Sequence, residues 1–553
     1  MANADEILAA LDDEQRKVAL ATRGPVCVIA GAGTGKTRAI THRIAYASAI
    51  GVMDPQRVLA ITFTARAAGE MRSRLRHLGF PGVTARTIHS AALKQLLYFW
   101  PTVFGGQSPE LLTSKTPFIN SSVERAGIKL PANNREALRD IATEIEWAKV
   151  NQIAPEDFLA TQRKVRTRLS AEEIAKVYAA YESLKKQERT LDFEDLLLLT
   201  TAMIENEPQV RERIHDQYRY FTVDEYQDIS PLQQRLIDAW LGSRKDICVV
   251  GDPAQTIYSF AGATPTYLLG FTNRFPEAEV IRLSTGYRST PEILFTANAL
   301  LRSNRMGHEL SPVNEHGSHP ELTEFNTEGQ EAIGVTNRIT ELISEGAEPA
   351  SIPVLARTNA QLAVIEKTFK SAGLPYQIRN NERFFDRQEI REFIRDLRQA
   401  SVIPNPDINW LDELRGIAQP YLSDSNSTSS TISGGAALDG IGALIHLARE
   451  LDSDDRFQPK TLRNFLQEVE DRAQQNNPPQ LPVTTLATLH ATKGLEWDRV
   501  FVVGISEGYL PYPEAPEDEE LRLFYVGITR ARKHLHLSHG GNPSRFLRSF
   551  LNN

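Results

Sequence analysis

The chain has 553 residues, 41% of them hydrophobic and 24% charged, and a formal net charge of −8. That length exceeds what one hydrophobic core organises, so several domains are expected, and the composition is that of an ordinary globular protein. The acidic balance excludes a protein that coats nucleic acid by bulk charge but allows a local basic track.

The N-terminal stretch MANADEILAALDDEQ is acidic and lacks the basic start and apolar core of a signal peptide. No apolar run is long enough to cross a bilayer. The two cysteines, Cys27 and Cys248, sit in the apolar runs VCVIA and ICVVG without CxxC spacing. They read as core thiols of a cytoplasmic protein without zinc.

Apolar, β-branched runs recur at 26–30, 58–62, 220–223 and 247–250, with helix-like stretches between them. A second series lies at 280–283, 352–356, 484–488, 499–504 and 534–538. Short strands apolar on both faces and alternating with helices indicate parallel α/β sheets, here two cores in tandem. The expected division is 1–90 and 197–279 for the first core, and 280–395 and 483–553 for the second. Mainly helical insertions would fill 91–196 and 396–482. The second insertion contains SDSNSTSSTISGG at 423–435, with the composition of a mobile surface loop.

The first strand runs into VIAGAGTGKT at 28–37. Gly31, Gly33 and Gly35 let backbone N–H groups turn toward phosphates, Lys36 reaches the terminal oxygens, and Thr37 offers a hydroxyl to Mg2+. Ala30 takes the first position of the pattern, where glycine is usual, and Ala32, Thr34 and Arg38 complete the loop's candidate contacts. At the tip of YFTV come Asp224, a candidate Mg2+ ligand, and Glu225, a candidate base for the attacking water. Adjacent acids at a strand tip also arise from solvation alone; the preceding phosphate loop favours catalysis.

At 249–263 the chain reads VVGDPAQTIYSFAGA. Gln255, an uncharged amide, follows a strand end, and Tyr258 and Phe260 are flat rings two residues apart. Arginines cluster at 66, 72, 74, 76 and 86, and basic residues again at Arg530, Arg532, Lys533, Arg545 and Arg548. Taken singly, most of these are solvated helix faces.

These segments fall in an order that resembles the UvrD/Rep/PcrA-like DNA helicases of superfamily 1. LDDEQRKVA at 11–19 is similar to that family's adenine-reading motif. AGAGTGKT, ITFTARAAGEMRSR at 61–74, TIHS at 87–90, LDFEDLL at 191–197 and DEYQD at 224–228 follow. GDPAQTIYSFAGA, STGYRST at 284–290, ERFFDRQEI at 382–390, TLHATKGLEWDRVFV at 488–502 and LRLFYVGITRAR at 521–532 complete the series.

The resemblance implies two RecA-like cores with ATP bound between them. It makes Gln15 the adenine reader, Tyr287 a ring stacked on adenine, Glu496 a nucleotide contact, and Arg288 and Arg530 arginine fingers on the γ-phosphate. It places Phe63, Thr64, Arg66, His89, Phe193, Tyr258, Phe260 and His490 on DNA. The implied activity is an ATP- and Mg2+-dependent 3′-to-5′ single-strand translocase and helicase in DNA repair or replication maintenance. Its partners would be single-stranded and tailed duplex DNA and repair or replication proteins, and it would be a monomer when free, working at the nucleoid.

Three departures from the family pattern bear on the DNA side. Ala261 stands where arginine is usual, Ala65-Arg66 replaces Asn-Lys, and Pro253-Ala254 replaces an acidic pair. Ala261, together with the short 396–482 insertion, favours a second reading, a translocase that strips proteins from single strands and unwinds weakly. A third, a nucleotide-switched DNA-binding adaptor without turnover, is opposed by the intact set Lys36, Asp224, Glu225, Gln255, Arg288 and Arg530. No appended domain is expected after the last motif.

Overall fold

The structure, a computed structural model, describes residues 3–112, 114–130, 134–165, 167–303, 309–379, 384–401, 408–423, 440–454, 457–474, 479 and 481–548. It divides into two compact units, Met1–Ser284 and Thr285–Asn553. Among the described residues no helix is long and apolar enough to cross a membrane.

The first unit is built on strands β1 (Val26–Ala30), β2 (Val58–Thr62), β3 (Thr84–Thr87), β4 (Tyr220–Val223), β5 (Ile247–Gly251) and β6 (Glu279–Leu283). They form one parallel sheet in the order β3-β2-β4-β5-β1-β6. Side chains alternate across a strand, and both faces here are covered. Cys27, Leu59, Ile61, Val223 and Val249 enter one core, while Val26, Val28, Val58, Ala60 and Val250 enter the other. Continuous apolar runs, without polar alternation, are therefore what this sheet demands.

The strand order decides function. Because β2, β4, β5 and β1 are neighbours, the segments after them meet along the carboxyl edge of the sheet. These are Phe63-Thr64, Asp224–Asp228, Asp252–Gln255 and Gly31–Lys36. Ligands of open α/β sheets bind at that edge.

Residues 280–283, expected to open the second core, instead form β6, paired with β1 from Val26↔Glu279 to Ala30↔Leu283. Their alternating exposure is that of an edge strand, and hydropathy alone does not say which sheet an edge strand joins. The expected start of the first insertion also moves. Helix Ile88–Val103 places Ile88, Ala91, Ala92, Leu96 and Phe99 in the first unit's core. The insertion's own core lies further on, with Leu138, Ile141, Ile145 and Ala148 on helix Arg135–Val150 packed against Ile174, Val177 and Tyr181 on helix Ala171–Glu188.

The second unit contains β7 (Glu321–Phe325), β8 (Pro353–Ala356), β9 (Tyr376–Arg379), β10 (Thr484–Thr488), β11 (Trp497–Val502) and β12 (Ala531–Gly540). They make a second parallel sheet ordered β7-β12-β11-β8-β10-β9. A separate helical core gathers Ile390, Phe393, Leu397, Trp410, Leu414, Leu444 and Phe465. The expected mobile loop at 423–435 lies, beyond Ser423, outside the described residues, as do residues 382–383 and 549–553.

The end of β12 passes close to the chain before helix Glu328–Ser344. A Cβ on Gly540 would lie 2.6 Å from Glu328 N and 2.7 Å from Thr327 C, both backbone atoms. Gly540→Ala is therefore expected to cost about 1–3 kcal/mol by overpacking. Thermal denaturation should show a lower melting temperature; an unchanged value would mean that the β7–β12 end shifts freely.

Candidate active site

β1 delivers the fully buried Ala30 and then turns through Gly33 and Gly35, whose φ angles of +73° and +77° favour glycine. Thr34 Oγ1 donates to Gly31 O at 3.0 Å and pins the loop, and Gly35 precedes the helix Lys36–Ala49. A glycine turn that runs into a helix N-terminus is the kind of backbone that can bind an anion. Gln15, on helix Asp13–Leu20, is buried and donates through Nε2 to Thr34 O at 3.1 Å. A Cβ on Gly35 would lie 2.6 Å from that nitrogen, so the glycine is required by close approach as well as by φ. The buried Arg43 holds the end of the Gln15 helix through a 2.7 Å bond from Nε to Ala21 O. Arg38 is exposed and donates to Ala10 O.

At the tip of β4, the backbone N–H of the buried Asp224 donates to Ile61 O at 2.8 Å. Glu225 adopts φ +55°, a left-handed conformation costing of order 1–3 kcal/mol in a residue with a Cβ. Its N–H donates to Asp224 Oδ1 at 2.9 Å, and its carboxylate lies 3.6 Å from Lys36 Nζ. Strain of this kind collects where a side chain must be aimed.

Gln227 connects these acids to the next strand. Its Nε2 donates to Glu225 Oε2 at 2.5 Å, and its Oε1 accepts the Asp252 N–H at 3.0 Å. The amide's orientation is forced, because a backbone N–H faces one end and a carboxylate the other. Asp252 Oδ1 accepts from Ala254 N at 3.0 Å and Oδ2 from Gln255 Nε2 at 2.7 Å. A continuous line thus runs from Lys36 through Glu225, Gln227 and Asp252 to Gln255. The motifs by themselves do not single out Gln227 or Asp252. Their signal was position: both lie inside the quoted segments DEYQD and GDPAQ.

Gln255 ends a short turn, Pro253–Gln255, and a second turn, Ser259–Ala261, carries Phe260. Phe63, 43% exposed, stacks on Tyr258 with ring centroids 5.6 Å apart and planes 14° apart. Tyr258 meets Phe260 at 6.1 Å. His89 and Phe193 form an edge-on pair at 5.8 Å. Thr64 caps helix Ala65–His77, accepting the Ala67 N–H at 3.1 Å, and Arg66 lies half-buried in that helix's first turn. Further along, burial, and then the neighbouring charges of Arg86 and Arg76, lower the Arg72 pKa.

In the second unit Tyr287 is 42% exposed. Arg288 pairs with Glu496 and donates to Thr529 O at 3.1 Å. Burial opposes ionisation of Glu496, but Arg288 and Arg532 outweigh it and lower its pKa. Arg530 is 1% exposed and donates to Val526 O at 2.9 Å and Leu495 O at 3.0 Å. Burial and nearby Arg357 push His490 down to about 3, so it is neutral at pH 7. The C-terminal basic track is largely neutralised: Arg532 and Lys533 pair with Glu496 and Asp498, and Arg545 with Glu507 and Glu517.

Residues 11–276 match the UvrD/REP helicase N-terminal domain, and 281–407 with 409–540 match the UvrD-like helicase C-terminal domain. The ATP-dependent DNA helicase UvrD2 of Mycobacterium tuberculosis is 44% identical over 581 residues, spanning 99% of this chain and 82% of that protein. The ATP-dependent DNA helicase PcrA of Bacillus subtilis is 31% identical over 637 residues, spanning 99% of this chain and 85% of that protein. The PcrA of Leuconostoc citreum is 30% identical over 644 residues, spanning 97% and 84%.

Gln227→Leu would strip partners from the Asp252 N–H and the Glu225 carboxylate while keeping the bulk. ATP binding should persist, and hydrolysis should fall about tenfold or more, because leaving such groups unpaired costs on the order of 1–3 kcal/mol. Steady-state hydrolysis beside a nucleotide-binding titration checks this; unchanged turnover would show that the line from Lys36 to Gln255 is only structural.

Proposed function

The chain belongs to the UvrD/REP helicase family, and from that premise we propose that it is an ATP-dependent motor that tracks 3′-to-5′ along single-stranded DNA and opens duplex ahead of it. The observation that carries this reading is the line from Lys36 to Gln255, an ion pair followed by hydrogen bonds, which ends a few residues before the rings of Tyr258 and Phe260. One rigid segment can then report γ-phosphate occupancy to a surface that grips bases. Base–aromatic stacking contributes about 1–3 kcal/mol per base and is indifferent to sequence.

In this reading the phosphate loop, from Ala30 to Thr37, holds ATP, Gln15 reads the adenine, and Tyr287 stacks on it. Glu225, aimed by its left-handed backbone and by Gln227, takes the proton of the attacking water. The Thr37 hydroxyl and the Asp224 carboxylate are hard oxygen donors of the kind Mg2+ accepts. When bound there, Mg2+ would neutralise phosphate charge. Lys36 offsets the charge on the terminal phosphate. Arg288 is the arginine finger; engaging phosphate requires it to exchange Glu496 for phosphate oxygens. Arg530 would have to leave the Val526 and Leu495 carbonyls, so its role as a second finger depends on rearrangement of its own surroundings.

Phe63, Tyr258 and Phe260, with His89 and Phe193, form the stacking surface. Thr64, Arg66 and the neutral His490 supply contacts to the strand. DNA repair or replication maintenance is the proposed setting, with Mg2+, tailed duplex and repair or replication proteins as cofactor, substrate and partners. Ala261 is the specific feature behind the second reading. The turn that carries Phe260 offers no cation there, which favours displacement of bound proteins over strand separation.

Lys36→Ala is expected to abolish ATP hydrolysis while single-strand binding stays measurable, and Glu225→Gln to retain ATP without cleaving it. Arg288→Ala should lower turnover by about 10³-fold with little change in nucleotide affinity. Filter binding and coupled ATPase assays read both. Polarity is tested with duplexes bearing a 3′ or a 5′ tail, measured for unwinding and ATPase in parallel; preference for the 5′ tail overturns the direction. Efficient streptavidin displacement with poor unwinding of either tail would select the second reading.

A further inference from the structure

Asp192 and Phe193 are adjacent, yet only the ring has a role in the motor described above. Asp192 belongs to a buried ionic cluster in which one oxygen each of Glu182, Asp192 and Asp195 lie within 4.8 Å of one another. The cations among them are two ammonium groups. Lys149 Nζ lies 2.9 Å from Glu182, 2.8 Å from Asp192 and 2.5 Å from Asp195. Lys185 Nζ lies 2.9 Å from Asp192 and 2.5 Å from Asp195, and the Tyr181 hydroxyl donates to Asp192 at 3.1 Å. Burial would raise the Asp192 pKa, but Lys149 and Lys185 outweigh it and keep the carboxylate ionised.

The cluster fixes a helix start. Asp192 caps helix Phe193–Asn206, with its Oδ1 accepting the Asp195 N–H at 2.9 Å and Asp195 Oδ2 accepting the Asp192 N–H at 3.1 Å. The first helical residue is Phe193. Lys149 and Lys185 therefore both tie the start of the Phe193 helix to the helical insertion.

Lys149 is followed by the last residue of its helix, Val150, which touches the other ring-bearing segment. Gly262, two residues after Phe260, has φ +89°, and a Cβ there would lie 2.3 Å from Val150 Cγ2. Asn151 closes the helix end by donating from Nδ2 to Trp147 O at 2.8 Å. One helical turn thus abuts the start of the Phe193 helix through charge and the Phe260 turn through close packing.

We propose that Lys149 and Val150 are positioning residues, and that the final turn of helix Arg135–Val150 is a strut holding Phe193 and Phe260 at a fixed spacing along the DNA strand. The insertion then sets the register of the grip, and ATP use stays coupled to movement only while the strut is seated. This rests on the assignment of those two rings to base stacking.

The test uses the full chain, a single strand carrying 2-aminopurine to report stacking, and an end-labelled strand to measure ATP consumed per nucleotide travelled. Val150→Ala and Lys149→Met should keep basal ATPase, weaken quenching of the probe, and raise ATP per nucleotide by about threefold, as expected for partial loss of stacking. Lys149→Arg should restore coupling. Phe193→Ala and Phe260→Ala are the controls. If they leave quenching and coupling intact, the ring assignment has failed and the strut with it. If they disturb both while folded Val150→Ala and Lys149→Met do not, the strut alone is overturned. Should Lys149→Met fail to fold, Val150→Ala decides. A parallel fall in melting temperature, basal ATPase and DNA affinity, with coupling intact, would mark the turn as merely structural and also overturns the proposal.

Discussion

The site depends on one buried amide. Gln227 lies between Glu225, at the end of β4, and the backbone of Asp252, just past β5 and 25 residues beyond Gln227 in sequence. It is fully buried, and both ends of its side chain are engaged. In a low-dielectric interior such a group is costly to leave unpaired, so the bond fixes the two strand ends against each other. Gly251 follows from this constraint, because a Cβ there would lie 2.5 Å from Gln227 Oε1. The left-handed backbone at Glu225 aims its carboxylate at both Gln227 and Lys36.

From that bond the design extends in both directions along the carboxyl edge of the first sheet. Toward β1 it reaches Lys36 and the phosphate loop, on which Gln15 rests. Through Asp252 and Gln255 it reaches the turns that carry Tyr258 and Phe260, and Tyr258 lies against Phe63 from the end of β2. The glycine turn after β1 and the rings of Phe63, Tyr258 and Phe260 are therefore joined by an ion pair, hydrogen bonds and a ring stack along one sheet edge.

The second unit distributes its charge differently. Its arginines are held by partners: Arg288 and Arg532 by Glu496, Arg545 by Glu507 and Glu517, and Arg530 by backbone carbonyls. A guanidinium held this way is oriented, and recruiting it to another anion means exchanging one partner for another. Arg72 of the first unit also donates to a carbonyl, Ala85 O at 2.6 Å, but there burial, and then the like charges of Arg86 and Arg76, lower its pKa.

The sequence alone determined the α/β class and located the glycine turn after β1, the paired acids at the tip of β4 and the ring-bearing segment, because each depends on local chemistry: a glycine turn, a strand tip, an i, i+2 spacing. It also carried the family, since the motifs occur in order along the chain. It did not determine which sheet the edge strand β6 joins, because half-exposed strands have the same hydropathy in either place. Nor did it show that residues 91–103 pack with the first core, since one apolar helix face does not name its partner. The contacts of Gln227, Asp252, Lys149 and Val150 were decided only by tertiary structure. A glutamine, an aspartate, a lysine and a valine have no distinctive pattern until folding brings their distant partners within bonding distance.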